Sequence, residues 1–180
     1  MYKENNSDIQ IDLVFKCNLT KGILNKINIS ENNLIFEKFF WERVFFRWLN
    51  ILVLEKPSQC PIKILDKKLF SFSFEIINNN EISILNQEWL NKKGPTDVLS
   101  FPIIDDQQLN QNFTFVEIGD LFISLEMAFK QSQDYQHSLK REMLLLSSHG
   151  FLHLLGWEHN NNKELISMLN FQEYLVSSLN

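Results

Sequence analysis

The 180-residue sequence predicts an α+β fold: a small mixed β-sheet packed with helices. Three observations lead there. Leu69 to Ile77 alternates, with Phe70, Phe72, Phe74 and Ile76 on one face and Ser71, Ser73 and Glu75 on the other, the pattern of a half-buried strand. From Leu34 to Glu55 the apolar residues Ile35, Phe39, Phe40, Val44, Phe45, Trp48 and Leu49 recur at threes and fours, the period of an amphipathic helix. Strand-like and helix-like segments follow one another in an irregular order along the rest of the chain.

Taken in order, residues 1–8 are polar and loose. Ile9 to Phe15 reads as a short strand with Ile9, Ile11, Leu13 and Phe15 on one face. Asn18 to Asn33 is a loop or short helix without a strong period. The long helix from Leu34 carries Glu37, Glu42, Arg43 and Arg47 away from its apolar stripe, and Pro57 and Pro61 end it. After the Leu69–Ile77 strand, Asn78 to Asn80 forms a turn, and Glu81 to Leu90 a short helix burying Ile82, Leu85 and Trp89. Val98 to Ile104 is a strand that Pro102 places near an edge or an end. A polar loop over Asp105–Asn112 leads to a strand over Asp120–Ser124. Helices follow over Leu125–Gln133, Ser138–Leu155 and Lys163–Ser178. No repeat or linker divides the chain, so residues 1–180 are expected to form one domain: a weakly patterned segment over 1–33, a core over 34–160 and a C-terminal helix over 163–178.

Composition supports that reading. With 44% apolar and 22% charged residues, a chain of this length can bury roughly 70% of its unfolded surface. A disordered tail, a collagen-like fibre and a disulfide-stapled miniprotein are excluded. Cys17 and Cys60 are too few for a disulfide framework and form no Cys-x-x-Cys pair, which suits a reducing interior. The opening residues Met1 to Ser7 lack the apolar core of a secretory signal, and Phe39 to Leu54 is interrupted by Glu42, Arg43 and Arg47. A soluble, cytoplasmic protein is expected. The 17 basic and 22 acidic residues give a net charge of -5, which argues against a uniformly cationic surface that coats nucleic acid but leaves room for a local basic groove. Most of the 16 phenylalanines fall in periodic segments, where core packing accounts for them.

The chemistry is concentrated near the C-terminus, in His149-Gly-Phe-Leu-His153-Leu-Leu-Gly156-Trp-Glu-His159. His149 and His153 are four apart on a helix, so their imidazoles share one face about one turn apart. That spacing lets two nitrogens reach one metal at about 2.0–2.1 Å each. Gly156 sits where a helix commonly ends in a left-handed residue, and the reversal brings His159 back towards the first two. Trp157 is placed to pack on the last turn and pin that reversal. A lone histidine is usually structural; two at this spacing followed by glycine and a third histidine make a ligand set. Three neutral imidazoles leave a fourth position for water, as in a catalytic rather than a structural zinc site, where the bound water's pKa falls to about 7. Zinc is the first choice, one ion per chain, although nickel and copper accept the same ligands.

The spacing H-x-x-x-H-x-x-G-x-x-H is also that of the metzincin proteases. There the residue after the first histidine is the glutamate that acts as general base. This sequence has Gly150 instead, and Glu158 is a poor substitute because nothing fixes it on the metal-bearing face.

Two further blocks, Thr96-Asp-Val-Leu-Ser-Phe-Pro102 and Gly119-Asp-Leu-Phe-Ile-Ser124, together with the histidine run, resemble the YbeY family of bacterial endoribonucleases. That family carries a Thr-Asp-Val-Leu-Ser-Phe-Pro block, a Gly-Asp-Ile-type strand and a His-Gly-x-Leu-His-Leu-x-Gly-x-Asp-His block. The first is intact here, the second reads Gly119-Asp120-Leu121, and the third has Glu158 in place of the usual Asp. Asn86 ahead of Trp89 also fits, and the likeness covers about residues 34–160. The resemblance implies a metal-dependent endoribonuclease that prefers single-stranded RNA and acts in maturation of the 16S rRNA 3′ end on the small ribosomal subunit and in ribosome quality control. Carried over by position, the zinc ligands are His149, His153 and His159. The resemblance assigns no general base.

One departure stands out. The family usually has arginine six residues before the Thr of its first block, and this sequence has Leu90 there, which can neither pair with a phosphate nor stabilise developing charge. Lys92 and Lys93 are the nearby cations. Two rival functions follow: a peptidase or amidase with a displaced base, and a non-catalytic ribosome-assembly factor with a structural metal.

Other residues carry a functional and a plainer reading side by side. Asp97 and Asp120 can orient histidines or cap turns. Glu142, two turns before His149, can serve the metal or pair locally. Ser100 can bond substrate or the strand, and His137 reads as a helix-start residue. Arg43, Arg47, Lys63, Lys67, Lys68, Lys92 and Lys93 can line an RNA groove or form a solvated face. Whether the ribose 2′-hydroxyl or a metal-activated water attacks the phosphorus is left open by the sequence.

Overall fold

The computed structural model describes residues 1–2, 8–104, 109 and 113–179. Four strands, β1 (Gln10–Cys17), β2 (Leu69–Ile77), β3 (Val98–Pro102) and β4 (Phe115–Ser124), form one sheet in the order β1-β2-β4-β3. β1, β2 and β4 are parallel, and β3 runs antiparallel to β4 at an edge, so the sheet is mixed as expected. The helices are α1 (Lys21–Lys26), α2 (Lys38–Glu55), α3 (Ile62–Leu65), α4 (Asn79–Leu90), α5 (Leu125–Asp134), α6 (Leu139–Leu154) and α7 (Asn162–Ser177). The expected loose segment and the expected polar loop over Asp105–Asn112 lie outside the described residues, apart from residues 1–2, 8 and 109.

The alternation in β2 does what its pattern requires. Phe70, Phe72, Phe74 and Ile76 are buried, against α2 and α6. Phe45 of α2 sits at the junction, with ring centroids 5.0 Å from Phe72, 5.6 Å from Phe74 and 4.9 Å from Phe151 of α6. Burying such a ring stabilises the fold by about 1.5–3 kcal/mol, and the cluster clamps α6, the helix of the histidines, onto the sheet.

The long helix begins later than its apolar pattern suggests. Leu34–Phe36 is a separate 3-10 turn, started by the Asn33 side chain accepting from the Ile35 amide. Glu37 is extended, and the Trp41 indole donates to the Ile35 carbonyl at 2.8 Å, so the turn is tied to α2 rather than fused with it. The buried stripe is Trp41, Val44, Phe45, Trp48, Leu49 and Leu52, while Phe39 is exposed. Trp48 donates to the Leu175 carbonyl at 2.9 Å and joins α2 to α7.

Two other elements differ from the sequence reading. β4 starts five residues earlier than Asp120, at Phe115. Its register slips against β2, with Ser71 opposite Glu117 but Phe72 opposite Gly119, so Ile118 is the extra residue of a bulge. Buried positions change parity there, from Val116 and Ile118 to Leu121 and Ile123, which hides the strand from a period-two reading. Gly119 has φ +128, and a Cβ would stand 2.1 Å from the Phe101 carbonyl oxygen. In α4, Asn78 and Glu81 form a capping box, so the expected turn is the helix start. Trp89 is 69% exposed rather than buried, with its ring 5.5 Å from that of Phe101.

Candidate metal centre

α6 is capped at both ends, and the caps set the positions of the histidines. The Ser138 side chain accepts from the Arg141 amide at the start. At the other end the Gly156 amide donates to the His153 carbonyl and the Trp157 amide to the Leu152 carbonyl, a Schellman closure with Gly156 at φ +84. Trp157 is buried against Phe171 of α7, with centroids 5.2 Å apart. Asn161 then caps α7, accepting from the Glu164 amide while the Glu164 carboxylate accepts from the Asn160 amide. His159 is thus held between two capped helix ends.

The three imidazoles converge. His149 and His153 approach Nε2 to Nε2 at 3.2 Å, and one nitrogen from each of His149, His153 and His159 lies within 4.8 Å of the others. Two nitrogens bound to one zinc at about 2.0–2.1 Å with a tetrahedral angle are about 3.3 Å apart, so the helical pair has the separation a shared ion needs. Among the described residues no cysteine or carboxylate joins the group. Cys17 and Cys60 are both free thiols, and burial pushes the Cys60 thiol up to about 12.

Electrostatics keep the helical pair ready for a cation. Burial, then His149 and His159 nearby, lowers His153 to about 4, while a backbone hydrogen bond with Trp157 opposes the fall. His149 is lowered by burial and then by His159, against the opposing influence of Gln172 and Asp97. Both rings therefore keep a lone pair at neutral pH. Gln172 on α7 is buried, and its Oε1 has no hydrogen-bond partner among the described residues. An amide oxygen in that position against His149 is the acceptor a metal-bound imidazole needs for its second N–H.

A stability prediction follows. The unfolded chain protonates His153 near 6.5, whereas the folded chain resists until about 4. In that window the unfolded state binds more protons, so stability is intact above the upper value and declines as pH falls towards the lower one. The urea midpoint of chelator-treated protein should drop between about pH 7 and about pH 4.5, and His153→Gln should flatten that dependence. An unchanged slope in the variant would assign the acid sensitivity elsewhere.

A cavity of about 510 Å³ opens beside His149, with Asp97, Gln131, Tyr135, His137, Glu142 and Gln172 in its walls. Asp97 accepts from the Val98 amide and from Gln131 Nε2, both at 2.8 Å, so it is both a turn residue and part of the wall. Glu142 is buried and paired with His137. Asp120 bonds Ser73 on the sheet face away from α6, which removes it from the histidines. No sequence pattern marks Gln131, Tyr135 or Gln172, because the end of α5 and the middle of α7, distant in sequence, bring them here.

The YbeY family model, described as Endoribonuclease YbeY, matches residues 26–180. The chain belongs to the YbeY family. A protein of Prochlorococcus marinus (strain MIT 9515) named Endoribonuclease YbeY is 59% identical over 179 residues, covering 99% of both chains. One of the same name from Synechococcus sp. (strain CC9605) is 37% identical over 150 residues, covering 83% of this chain and 90% of its own. The solution structure of TM1509 from Thermotoga maritima matches with a TM-score of 0.50 at 20% identity, covering 93% of this chain and 87% of that one, and shows likeness of fold.

Against the YbeY pattern, Leu90 is the last residue of α4 and is 47% exposed, and Asn91 turns left-handed after it. The buried Asn86 side chain donates to the Gly94 carbonyl at 2.9 Å and braces the loop that carries Lys92 and Lys93, both exposed. The basic residues do not form one groove. Lys67 donates to the Phe113 carbonyl and Lys68 pairs with Asp8. Arg43 and Arg47 line a different cavity, of about 870 Å³, with Lys140. No helix among the described residues is long and apolar enough to cross a membrane.

Proposed function

We propose that this chain is a zinc-dependent endoribonuclease that cleaves single-stranded RNA, with His149, His153 and His159 as the metal ligands in a zincin-like arrangement. The observation that carries the reading is the convergence of the three imidazoles in a chain of the YbeY family. The relatives' printed name supports RNA as the substrate. The substrate class we assign is ribosomal RNA of the small subunit, in maturation of the 16S 3′ end and in quality control, in the cytoplasm.

His149, His153 and His159 would hold a zinc ion, which would supply Lewis acidity towards a phosphoryl oxygen or lower the pKa of water to about 7. The protein's own part is positional. α6 fixes His149 and His153, the Schellman turn returns His159, the Trp157 backbone holds the His153 ring, and the unpartnered Gln172 Oε1 beside His149 is available to accept its second N–H. The cavity beside His149 gives the RNA strand room on one side of the ligands. Either the ribose 2′-hydroxyl or water can be the nucleophile, and the product ends decide: a terminal 2′,3′-cyclic phosphate identifies the former.

The test compares zinc-loaded protein on a single-stranded fragment of the small-subunit rRNA 3′ region, on the same fragment in a duplex, and on casein. Cleavage of the single strand alone is expected. Proteolysis without RNA cleavage would sink the proposal. Leu90 at the end of α4, where a cation is usual, favours a second reading as an assembly factor with a structural metal. Retention of zinc and RNA binding with no cleavage under any divalent metal would establish that reading instead.

A further inference from the structure

We propose that the cavity beside His149 is a nucleobase subsite, in which one base next to the scissile phosphate stacks on Tyr135 and turns an amino group towards Gln131. This rests on the RNA-cleaving reading above and adds how the strand is held.

Tyr135 is 69% exposed yet lines the same cavity as His149. It stands in a short connection that is fixed at both ends. The Tyr135 amide donates to the Gln131 carbonyl, Gln136 turns left-handed at φ +55, and the His137 amide reaches back to the Ser132 carbonyl at 3.0 Å. Ser138 then caps α6. The His137 ring lies 6.1 Å from that of Tyr135 at 36° and is tied to the buried Glu142 carboxylate. An aromatic ring held open to solvent at the mouth of a cavity, with a second ring braced behind it, is a stacking platform. Every base has a π-face, so such a platform grips single-stranded RNA without reading sequence, and a base stacked within a duplex cannot reach it.

Gln131 adds a preference. Its Nε2 donates to Asp97 Oδ2 at 2.8 Å, and because an ionised carboxylate only accepts, this fixes which end of the amide carries the oxygen. That Oε1 is buried and has no hydrogen-bond partner among the described residues. A buried acceptor without a donor beside a cavity calls for a ligand that brings an N–H. The exocyclic amines of adenine, cytosine and guanine supply one; uracil has no amino group and presents a carbonyl where cytosine has its amine.

The experiment is fluorescence anisotropy with a short, cleavage-resistant, 2′-O-methyl phosphorothioate RNA and the zinc-loaded full chain. An abasic site is moved along the strand one position at a time. For the wild type, one position should weaken binding about tenfold. Tyr135→Phe should keep that profile, and Tyr135→Ala should bind about tenfold more weakly and lose the position dependence. At the sensitive position, adenine or cytosine should bind more tightly than uracil, and Gln131→Met should abolish the difference. A flat abasic profile in a wild type that binds RNA, or an unaltered profile in Tyr135→Ala, overturns the subsite while leaving the endoribonuclease reading intact. If the wild type binds no RNA at all, both fall. If uracil is equal to adenine and cytosine at the sensitive position, the Gln131 contact is overturned and the Tyr135 platform stands.

Discussion

Replacing His153 by alanine is expected to abolish RNA cleavage and zinc retention while leaving a folded chain. His153 Nε2 lies 3.2 Å from His149 Nε2, so removing it deletes the partner that makes the helical pair a chelate. Changing residues that merely support ligands typically costs 10–100-fold in metal affinity, so loss of a ligand should exceed about 100-fold. Stability should change little. His153 is half-buried, alanine has the highest helix propensity, and the deletion removes an imidazole that burial disfavours when charged. Elemental analysis, circular dichroism and a cleavage assay on one preparation separate the outcomes. A folded variant without zinc and without cleavage supports a catalytic metal. A variant that loses zinc and unfolds together assigns the metal a structural role. Full zinc content would show that the ligand set is wrong.

What the sequence makes legible here follows from the range of each interaction. The histidine run is local: an i, i+4 pair, a left-handed glycine and a returning histidine lie within eleven residues, and helix geometry does the rest. β2 and the Val44 to Leu49 part of the α2 stripe are equally legible, since period and burial agree there, whereas Phe39 in the first turn is exposed. Legibility ends where tertiary contacts override a pattern. The bulge at Ile118 and Gly119 reverses the parity of β4. Trp89 lies outside the small cluster of Ile77, Ile82 and Leu99 that α4 covers, so an aromatic at a helical spacing is left exposed. The walls of the cavity beside His149 come from the start of β3, the end of α5, one face of α6 and the middle of α7, and no local pattern links Asp97 to Gln172.

The second large effect is expected at Gly150, the position where a metzincin carries its general base. Restoring that glutamate should unfold the protein rather than produce a peptidase. Gly150 is on the side of α6 that meets the sheet, where a Cβ would lie 2.3 Å from Leu121 Cδ1 and 3.0 Å from Val98 Cγ2. Leu121 is fully buried, so its methyl has little room to yield. For Gly150→Ala the overpacking costs about 1–3 kcal/mol and is offset in part by about 1 kcal/mol of helix propensity, giving a folded chain with a modestly lower urea midpoint. Gly150→Glu adds a carboxylate in an apolar seam with no partner, several kcal/mol more even if it takes up a proton, and the sum is comparable with the whole stability of a domain of about 5–15 kcal/mol. Urea denaturation of the pair, with casein hydrolysis measured on any folded fraction, provides the test. A Gly150→Glu chain as stable as wild type would mean that α6 does not sit this close to β4. If that chain also hydrolysed casein, the peptidase reading would return. The close approach that forces glycine at this position is the same one that sets the height of His149 and His153 above the sheet, so the absence of a glutamate here and the placement of the two histidines have one structural cause.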